Sequence, residues 1–185
     1  MHASDRKVLY LDEVNFTKRS ILQREWGGKN SNLTVDQEDV YQGYRSVIAT
    51  ISAEDGVILL QIQPHAIDHK DFINYLKKLR QMHGTMPLAL FMDNLPVHIA
   101  LDVQPFYSDL DIVQIKNVGY SPQFNPIEST FSKVKALFNR VRLNCLVNRI
   151  GFNFERTIKA AFSEITPEHC ANCAKMSFRL LQKAS

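Results

Sequence analysis

Short hydrophobic runs bounded by polar and turn-forming residues mark the predicted strands of the chain. Five such runs, rich in β-branched and apolar residues, are predicted strands: 7–11, 44–52, 57–63, 88–92 and 112–115. The second and third flank the turn sequence Ala-Glu-Asp-Gly, which predicts a β-hairpin. The first run is predicted to end at Asp12 and Glu13, and the fourth ends at Asp93.

Helical periodicity and helix-capping residues mark the segments between and after these strands. Apolar residues recur every three or four positions from Phe72 to Met82, and Gly84 follows as a stop. Asn125 and Pro126 are typical of the start of a helix. The predicted helices are 68–83, 97–107 with Pro96 near its first turn, a helix from Pro126 toward Val141, 152–164 and 167–182. The order predicts an α/β fold with a mixed five-stranded sheet flanked by helices.

Residues 15–42 lack a sustained period and contain Gly27 and Gly28, so they are predicted to form a long, partly mobile loop. Trp26, the single tryptophan of the sequence, lies within it. Trp26 either anchors the loop or contacts DNA or a second subunit. The sequence leaves both interpretations open.

Length and composition favour one domain over residues 1–185, with a core at about 7–142 and carboxyl-terminal helices at about 152–182. A chain of 185 residues with 45% hydrophobic residues can bury a substantial core. There is no apolar run of eighteen residues and no secretory signal, so we expect a soluble, intracellular protein with no membrane partner. Three cysteines are expected to be reduced thiols.

The net charge of +3 is only mildly basic, but the basic residues are unevenly distributed. Between residues 133 and 159, seven of them accompany a single acid, Glu155. They are Lys133, Lys135, Arg140, Arg142, Arg149, Arg156 and Lys159. Such a stretch is either a solvated helix face or a surface for nucleic acid, and the charge pattern alone does not choose.

Three acids stand at the ends of predicted elements. Asp12 and Asp93 follow apolar strands, and Glu128 lies just inside a helix. Ligands of open α/β sheets bind beyond the carboxyl ends of the strands, where these acids would meet. Three carboxylates without a nearby cysteine or histidine pair suit two Mg²⁺ or Mn²⁺ ions and phosphodiester cleavage or transfer. A zinc site at His169, Cys170 and Cys173 is a weaker interpretation than ordinary helix residues.

These acids lie in segments that resemble the signature blocks of mariner-type DDE transposases, which are related to retroviral integrases. Three segments carry the similarity: Tyr-Leu-Asp12-Glu13, Phe-Met-Asp93-Asn94-Leu-Pro-Val-His98 and Tyr120-Ser121-Pro122-Gln-Phe-Asn125-Pro126-Ile-Glu128. The 34 residues between Asp93 and Glu128 match the spacing of that superfamily. The similarity extends from about residue 7 to residue 140.

The resemblance implies a ribonuclease-H-like fold and a cut-and-paste reaction, in which water and then a DNA 3′-hydroxyl attack phosphodiesters. It implies that Asp12, Asp93 and Glu128 are catalytic and bind two Mg²⁺ or Mn²⁺ ions. The expected partner is double-stranded DNA, both transposon ends and target, bound by a homodimer without a small-molecule cofactor. We expect a nuclear protein if the source is eukaryotic, which the motifs favour, and a cytoplasmic one if it is bacterial.

Five further residues are assigned supporting or DNA-binding roles, three of them (Asn94, His98 and Lys135) by the same resemblance and two as part of the basic stretch. They are Asn94, His98, Lys133, Lys135 and Arg140. Asn94 and His98 would share a helix face near the metals, unless Asn94 only caps the following helix and His98 packs against it. Lys135 lies two helical turns after Glu128, where it would meet the DNA backbone or remain solvated.

The sequence departs from the family pattern at Leu95, where a small residue is common, and at Phe131, where tryptophan is frequent. Both replacements stay apolar, which favours drift over inactivation. Family members usually carry amino-terminal helix-turn-helix modules, so we expect an excised domain or a split product.

Two other functions compete with an active transposase domain. A domesticated, non-catalytic DNA-binding or assembly protein would keep the fold without needing the acids, and their retention counts against it. A small-molecule phosphohydrolase or nucleotide-binding domain would be expected to have a glycine-rich loop after its first strand. Asp12 and Glu13 are followed by Val-Asn-Phe-Thr, without glycine.

Overall fold

The computed structural model describes residues 6–17, 44–119 and 121–184. Most of the predicted loop 15–42, including Trp26, lies outside these ranges, as does Tyr120 of the turn before Pro122.

Five strands and six helices form the described part of the chain. The strands are β1 Lys7–Thr17, β2 Tyr44–Ser52, β3 Gly56–Gln63, β4 Leu88–Met92 and β5 Ile112–Lys116. The helices are α1 His69–His83, α2 Pro96–Ile99, α3 Gln104–Asp109, α4 Pro126–Val147, α5 Phe154–Ser163 and α6 Pro167–Ala184, with a 3₁₀ turn at Pro122–Phe124 before α4. The predicted hairpin and the strand before Asp93 are confirmed.

The strands form one mixed sheet in the order β3-β2-β1-β4-β5. β1 pairs antiparallel with β2 and parallel with β4, and β5 extends the parallel half. The strand order therefore reverses between β1, which is the central strand, and its neighbour β4. The predicted mixed five-stranded sheet is confirmed. A ligand site is expected beyond the carboxyl ends of β1 and β4, where the strand order reverses.

The first strand is longer than the hydrophobic run that predicted it. Its parallel pairing with β4 ends at Tyr10, opposite Phe91, but its antiparallel pairing with β2 continues to Thr17. The prediction that the strand ends at Asp12 is therefore wrong, and so is the assignment of residues 15–17 to a loop. Asp12 still lies beyond the end of β4, because β2 continues alongside this part of β1 and β4 does not.

Helices cover both faces of the sheet, and the alternation of side chains along β1 divides its residues between them. Leu11 packs in a core with Phe72 and Tyr75 of α1. Val14 and Phe16 pack in a second core formed with α4, α5 and α6, where Phe16 contacts the ring of Phe138. Adjacent acids on β1 consequently point to opposite faces.

The helix predicted at 97–107 is wrong, because the structure contains two short helices there. The chain leaves the helical conformation at Ala100, whose ψ is 143°. Pro105 explains the break, since proline has no amide hydrogen to donate to residue 101 and its ring would clash with that carbonyl group. In contrast, α4 continues past the predicted end at Val141 to Val147.

Within the described ranges, none of the helices is both long enough and apolar enough to cross a membrane.

Candidate active site

The three predicted acids line one open cleft of about 500 Å³, which lies beyond the end of β4 and beside β1. Asp12 comes from β1, Asp93 from the loop after β4, and Glu128 from the first turn of α4. The remaining wall is formed by the loops that follow β4 and β5 and by the start of α4, with Asn94, Leu95, Asn117, Val118, Gly119, Ser121, Pro122 and Asn125. The tertiary fold thus brings together acids that are distant in sequence.

Asp12 is the most buried of the three acids, with 7% of its surface exposed. Its Oδ1 accepts a hydrogen bond from the backbone amide of Glu13 at 2.7 Å. Burial raises the pKa of Asp12 to about 8, and the nearby carboxylates of Glu13, Asp93 and Glu128 add to that rise. Without a cation the site therefore holds a proton on Asp12 at neutral pH.

Asn125 fixes the start of α4 and thereby the position of Glu128. Its Oδ1 accepts from the amide of Ile127 at 3.4 Å, and its Nδ2 donates to the carbonyl oxygen of Leu11 at 3.3 Å. The same buried side chain therefore caps α4 and ties it to the residue before Asp12. The sequence predicted the cap, but it gave no sign of the bond to β1.

Asp93 follows β4 directly, as predicted, and its side chain is 40% exposed. Its Oδ1 accepts from the amide of Leu95 at 3.3 Å and lies 3.1 Å from Nδ1 of His98. Asn94 precedes α2, and its Nδ2 donates weakly to the carbonyl oxygen of Asn117 at 3.5 Å. The helix begins instead after Leu95, without a side-chain cap, so both the capping alternative and the shared helix face are wrong for Asn94.

His98 is fully buried between two acids. Its Nε2 lies 2.9 Å from Oε1 of Glu13, and its Nδ1 lies 3.1 Å from both the carbonyl oxygen and Oδ1 of Asp93. Burial by itself lowers the pKa of His98, but the hydrogen bonds to Asp93 and Glu13 outweigh it and raise the pKa to about 10. Both ring nitrogens are therefore donors at neutral pH.

Sequence reasoning missed Glu13 and Asn117 as parts of this site. Glu13 stands beside Asp12 but reaches His98 across the opposite face of β1. Asn117 binds the end of β4 through its amide, which donates to the carbonyl oxygen of Met92 at 2.8 Å, and holds the cleft loop through Ser121. Strand alternation could have separated Glu13 from Asp12, but nothing local indicated Asn117.

The basic residues predicted to contact DNA do not line the carboxylate cleft. Lys135 lines a separate cavity of about 240 Å³ with the end of β1, and Arg140 is exposed further along α4. Lys133 is half-buried and acts electrostatically on Cys170 and Cys173. Their DNA-binding roles stay predictions.

Cys170 and Cys173 are buried core residues of α6. Burial raises the pKa of the Cys170 thiol to about 11, and it also raises that of Cys173. His169 lies 3.5 Å from Cys173 Sγ through its Nε2. Both thiols are therefore protonated at neutral pH, as expected for core residues.

The acids suit a hard divalent cation, although they do not form a finished metal centre. Throughout 6–17, 44–119 and 121–184, no three His, Cys, Asp or Glu side chains are close enough together to hold a metal as they stand. The ion pairs of those residues join neither Asp12 nor Glu128 to a lysine or arginine. Burial is the main cause of the raised pKa of Asp12, and the carboxylates of Glu13, Asp93 and Glu128 add to it; a divalent ion would offset both effects.

The sheet is mixed, and the three acids lie next to β1 and β4, where the strand order reverses. This arrangement is that of a ribonuclease-H-like domain. The chain belongs to the DDE superfamily endonucleases, whose family model matches residues 7–146. The resemblance seen in the three sequence blocks is thereby confirmed. No protein of curated function matches this chain.

Solved structures agree on the fold. A pre-cleavage Mos1 transpososome matches with a TM-score of 0.69 and 13% identity, over 96% of this chain and 54% of that one. The Mos1 transposase catalytic domain with raltegravir and Mn matches with a TM-score of 0.60 and 12% identity, over 96% and 82%. A simian T-cell lymphotropic virus intasome with a PP2A regulatory subunit matches with a TM-score of 0.59 and 13% identity, over 85% and 47%. The chain thus spans about half the length of the transposase in the transpososome.

Proposed function

We propose that this chain is the catalytic domain of a mariner-type DDE transposase, which cleaves DNA strands and transfers them by cut-and-paste transposition. Asp12, Asp93 and Glu128 are the proposed catalytic residues and the ligands of two Mg²⁺ or Mn²⁺ ions. In this reaction water attacks a phosphodiester and releases a 3′-hydroxyl, which then attacks a phosphodiester of the target and displaces its 3′-oxygen.

The observation that carries the proposal is the meeting of three carboxylates from three separate elements in one cleft. Two bound ions would activate the attacking oxygen and stabilise the leaving oxygen of an in-line displacement. The protein itself supplies a rigid β1 for Asp12, a capped helix for Glu128 and a hydrogen-bonded loop for Asp93. The Mn in the structurally similar Mos1 catalytic domain supports the choice of ion.

Double-stranded DNA, as transposon ends and target, is the proposed partner. The solved relatives that resemble this chain include a transpososome and an intasome, which supports a nucleic-acid substrate. We further propose that the chain works as a homodimer on DNA, and in the nucleus if its source is eukaryotic.

The direct test is metal-dependent nicking and strand transfer on labelled DNA by the wild type and by Asp93→Ala. We expect cleavage that requires Mn²⁺ or Mg²⁺ and is lost in the variant. Asp109→Ala, which removes an exposed acid at the end of α3, is the matched control and should cleave like the wild type. Equal cleavage by wild type and Asp93→Ala would contradict the proposal, because the cleavage would not depend on a proposed metal ligand.

A non-catalytic, domesticated DNA-binding protein is the second candidate. It is favoured by one observation, that the described acids do not already form a three-ligand metal group. Under this alternative the chain binds DNA tightly, does not cleave it with either ion, and gains no thermal stability from Mn²⁺. Under the transposase proposal Mn²⁺ raises the melting temperature of the wild type and not that of Asp93→Ala.

A further inference from the structure

A chain of hydrogen bonds links Glu13 on one face of β1 to Asp93 in the cleft. Glu13 Oε1 accepts from His98 Nε2 at 2.9 Å, and the other ring nitrogen of His98 lies 3.1 Å from Asp93 Oδ1. The ring of His98 also packs on Phe72, with 4.7 Å between ring centroids. The imidazole is thus held at both nitrogens and on one face.

The carbonyl group of His98 is held as firmly as its ring. Its oxygen accepts from the side chains of Gln104 and Tyr107, each at 3.2 Å. Helix α2 is thereby bound to α3, so that His98 cannot turn without breaking several contacts. A ring held in this way fixes the position of the carboxylates that it contacts, those of Glu13 and Asp93.

The pairing with His98 is what compensates the burial of Glu13. The Glu13 side chain is only 14% exposed, and its Oε2 is fully buried without a hydrogen-bond partner among the described residues. A carboxylate in that position is costly unless a donor offsets it. Glu13 and His98 therefore act as one unit.

We propose that Glu13 is a positioning residue for catalysis, which orients the Asp93 carboxylate toward the metal ions through His98. His98 Nδ1 lies between the carbonyl oxygen of Asp93, with which it forms a hydrogen bond, and Asp93 Oδ1, with which it forms an ion pair at 3.1 Å. Asp93 Oδ1 also accepts from the amide of Leu95, which leaves Oδ2 for an ion. Residues that orient metal ligands in this way typically change metal affinity by about 10- to 100-fold. This inference rests on the proposed function, since it requires that Asp93 bind the metal.

The test compares two side chains of similar size at position 13, Glu13→Gln and Glu13→Met, by Mn²⁺ binding measured with electron paramagnetic resonance. Glutamine keeps an oxygen that accepts from His98, and methionine does not. We expect Glu13→Gln to bind Mn²⁺ within about threefold of the wild type and Glu13→Met to bind it about tenfold more weakly. The cleavage rate should fall with affinity, while KM for DNA stays unchanged. Equal Mn²⁺ affinity in the two variants would overturn the proposal.

Glu13→Met leaves His98 without its acceptor and could unfold, so a double variant provides a second route. Glu13→Met with His98→Phe replaces both partners by apolar groups of similar shape, which is nearly neutral for stability. We expect it to melt close to the wild type and still bind Mn²⁺ about tenfold more weakly. Wild-type affinity in a folded double variant would refute the positioning role.

Two controls separate this inference from the proposed function. Glu54→Gln removes an exposed carboxylate in the β2–β3 turn and should leave Mn²⁺ binding unchanged. Asp93→Ala should abolish Mn²⁺ binding at the cleft. If Asp93→Ala binds Mn²⁺ like the wild type, the proposed metal site itself is wrong. If Asp93→Ala loses Mn²⁺ but Glu13→Met and the double variant do not, only the role of Glu13 is wrong.

Discussion

Asp12 and Asp93 reach the same cleft by different means. Asp12 lies inside β1, where pairing with Ala49 of β2 fixes its backbone, and it is almost fully buried. Asp93 lies beyond the last residue of β4, is 40% exposed, and takes its orientation from His98 and the amide of Leu95. The sheet places the first acid, whereas a network of side chains places the second.

This difference has an energetic consequence. The buried acid carries the electrostatic cost of the site, which is why the pKa of Asp12 rises to about 8. The exposed acid avoids most of that cost but depends on the packing of α2 and α3, two short helices with few residues in the core. Changes near Asp12 should therefore affect stability, and changes near Asp93 should mainly affect metal binding.

The largest expected effect is that of Asp12→Asn, which should abolish metal-dependent cleavage while stabilising the metal-free protein. The folded-state pKa of Asp12 lies above its ordinary value of 3.8, so the folded chain binds a proton that the unfolded chain releases. The stability of the wild type should consequently fall as pH rises from about 4 to about 8, and asparagine removes this loss. We expect a gain of at least about 1 kcal/mol at pH 8, measured by urea unfolding with a chelator present.

Asp109→Asn is the control for that experiment, because Asp109 is an exposed acid outside the cleft. Its unfolding free energy should differ little from that of the wild type between pH 5 and pH 8. The quantity to compare is the difference in unfolding free energy between Asp12→Asn and the wild type at each pH. If this difference is no larger at pH 8 than at pH 5, burial does not penalise the Asp12 carboxylate.

The next largest effect concerns the link between α4 and β1. Asn125→Ala should cost about 1–2 kcal/mol of stability, as expected for a lost helix cap, and should also weaken Mn²⁺ binding because Glu128 loses its anchor to Leu11. Asn153→Ala removes the cap of α5, where Asn153 accepts from the amide of Arg156 at 2.9 Å. It should cost a similar amount of stability and leave Mn²⁺ affinity unchanged. Equal Mn²⁺ affinity in the two variants would mean that the anchor does not position Glu128.

A smaller effect is expected on the opposite face of the sheet, away from the cleft. The hydroxyl group of Tyr75 donates to Leu59 O at 2.9 Å or to Thr50 Oγ1 at 2.8 Å. Tyr75→Phe should lower the unfolding free energy by about 1 kcal/mol, because a buried acceptor loses its donor. Mn²⁺ affinity and cleavage should not change. A change in either would show that the Tyr75 hydroxyl group is coupled to the acids.

The smallest effect is expected at Lys135, which lines a cavity separate from the carboxylate cleft. If it contacts a DNA phosphate, Lys135→Ala should weaken DNA binding modestly and reduce the slope of log affinity against log salt by about 1. Fluorescence anisotropy at several salt concentrations measures that slope. An unchanged slope would assign Lys135 to the solvated face of α4.

The acids were predictable because each stands where an apolar pattern changes. Asp93 was placed correctly after its strand, and Asn125 and Pro126 indicated the start of the helix that carries Glu128. The end of β1 was not predictable in the same way, since the length of a strand depends on how far its neighbours extend. The break near Pro105 was available from the sequence, because proline inside a helix removes a hydrogen bond.

The sequence by itself determined the types of the elements and the positions of the three acids, because hydrophobic periodicity and capping residues act over a few neighbouring positions. Only the tertiary structure decided what each of the two adjacent acids on β1 contacts. Asp12 meets Asp93 and Glu128 in the cleft, while Glu13 reaches His98, 85 positions further along the chain. Contacts over that distance depend on strand order and helix packing, which no local pattern encodes.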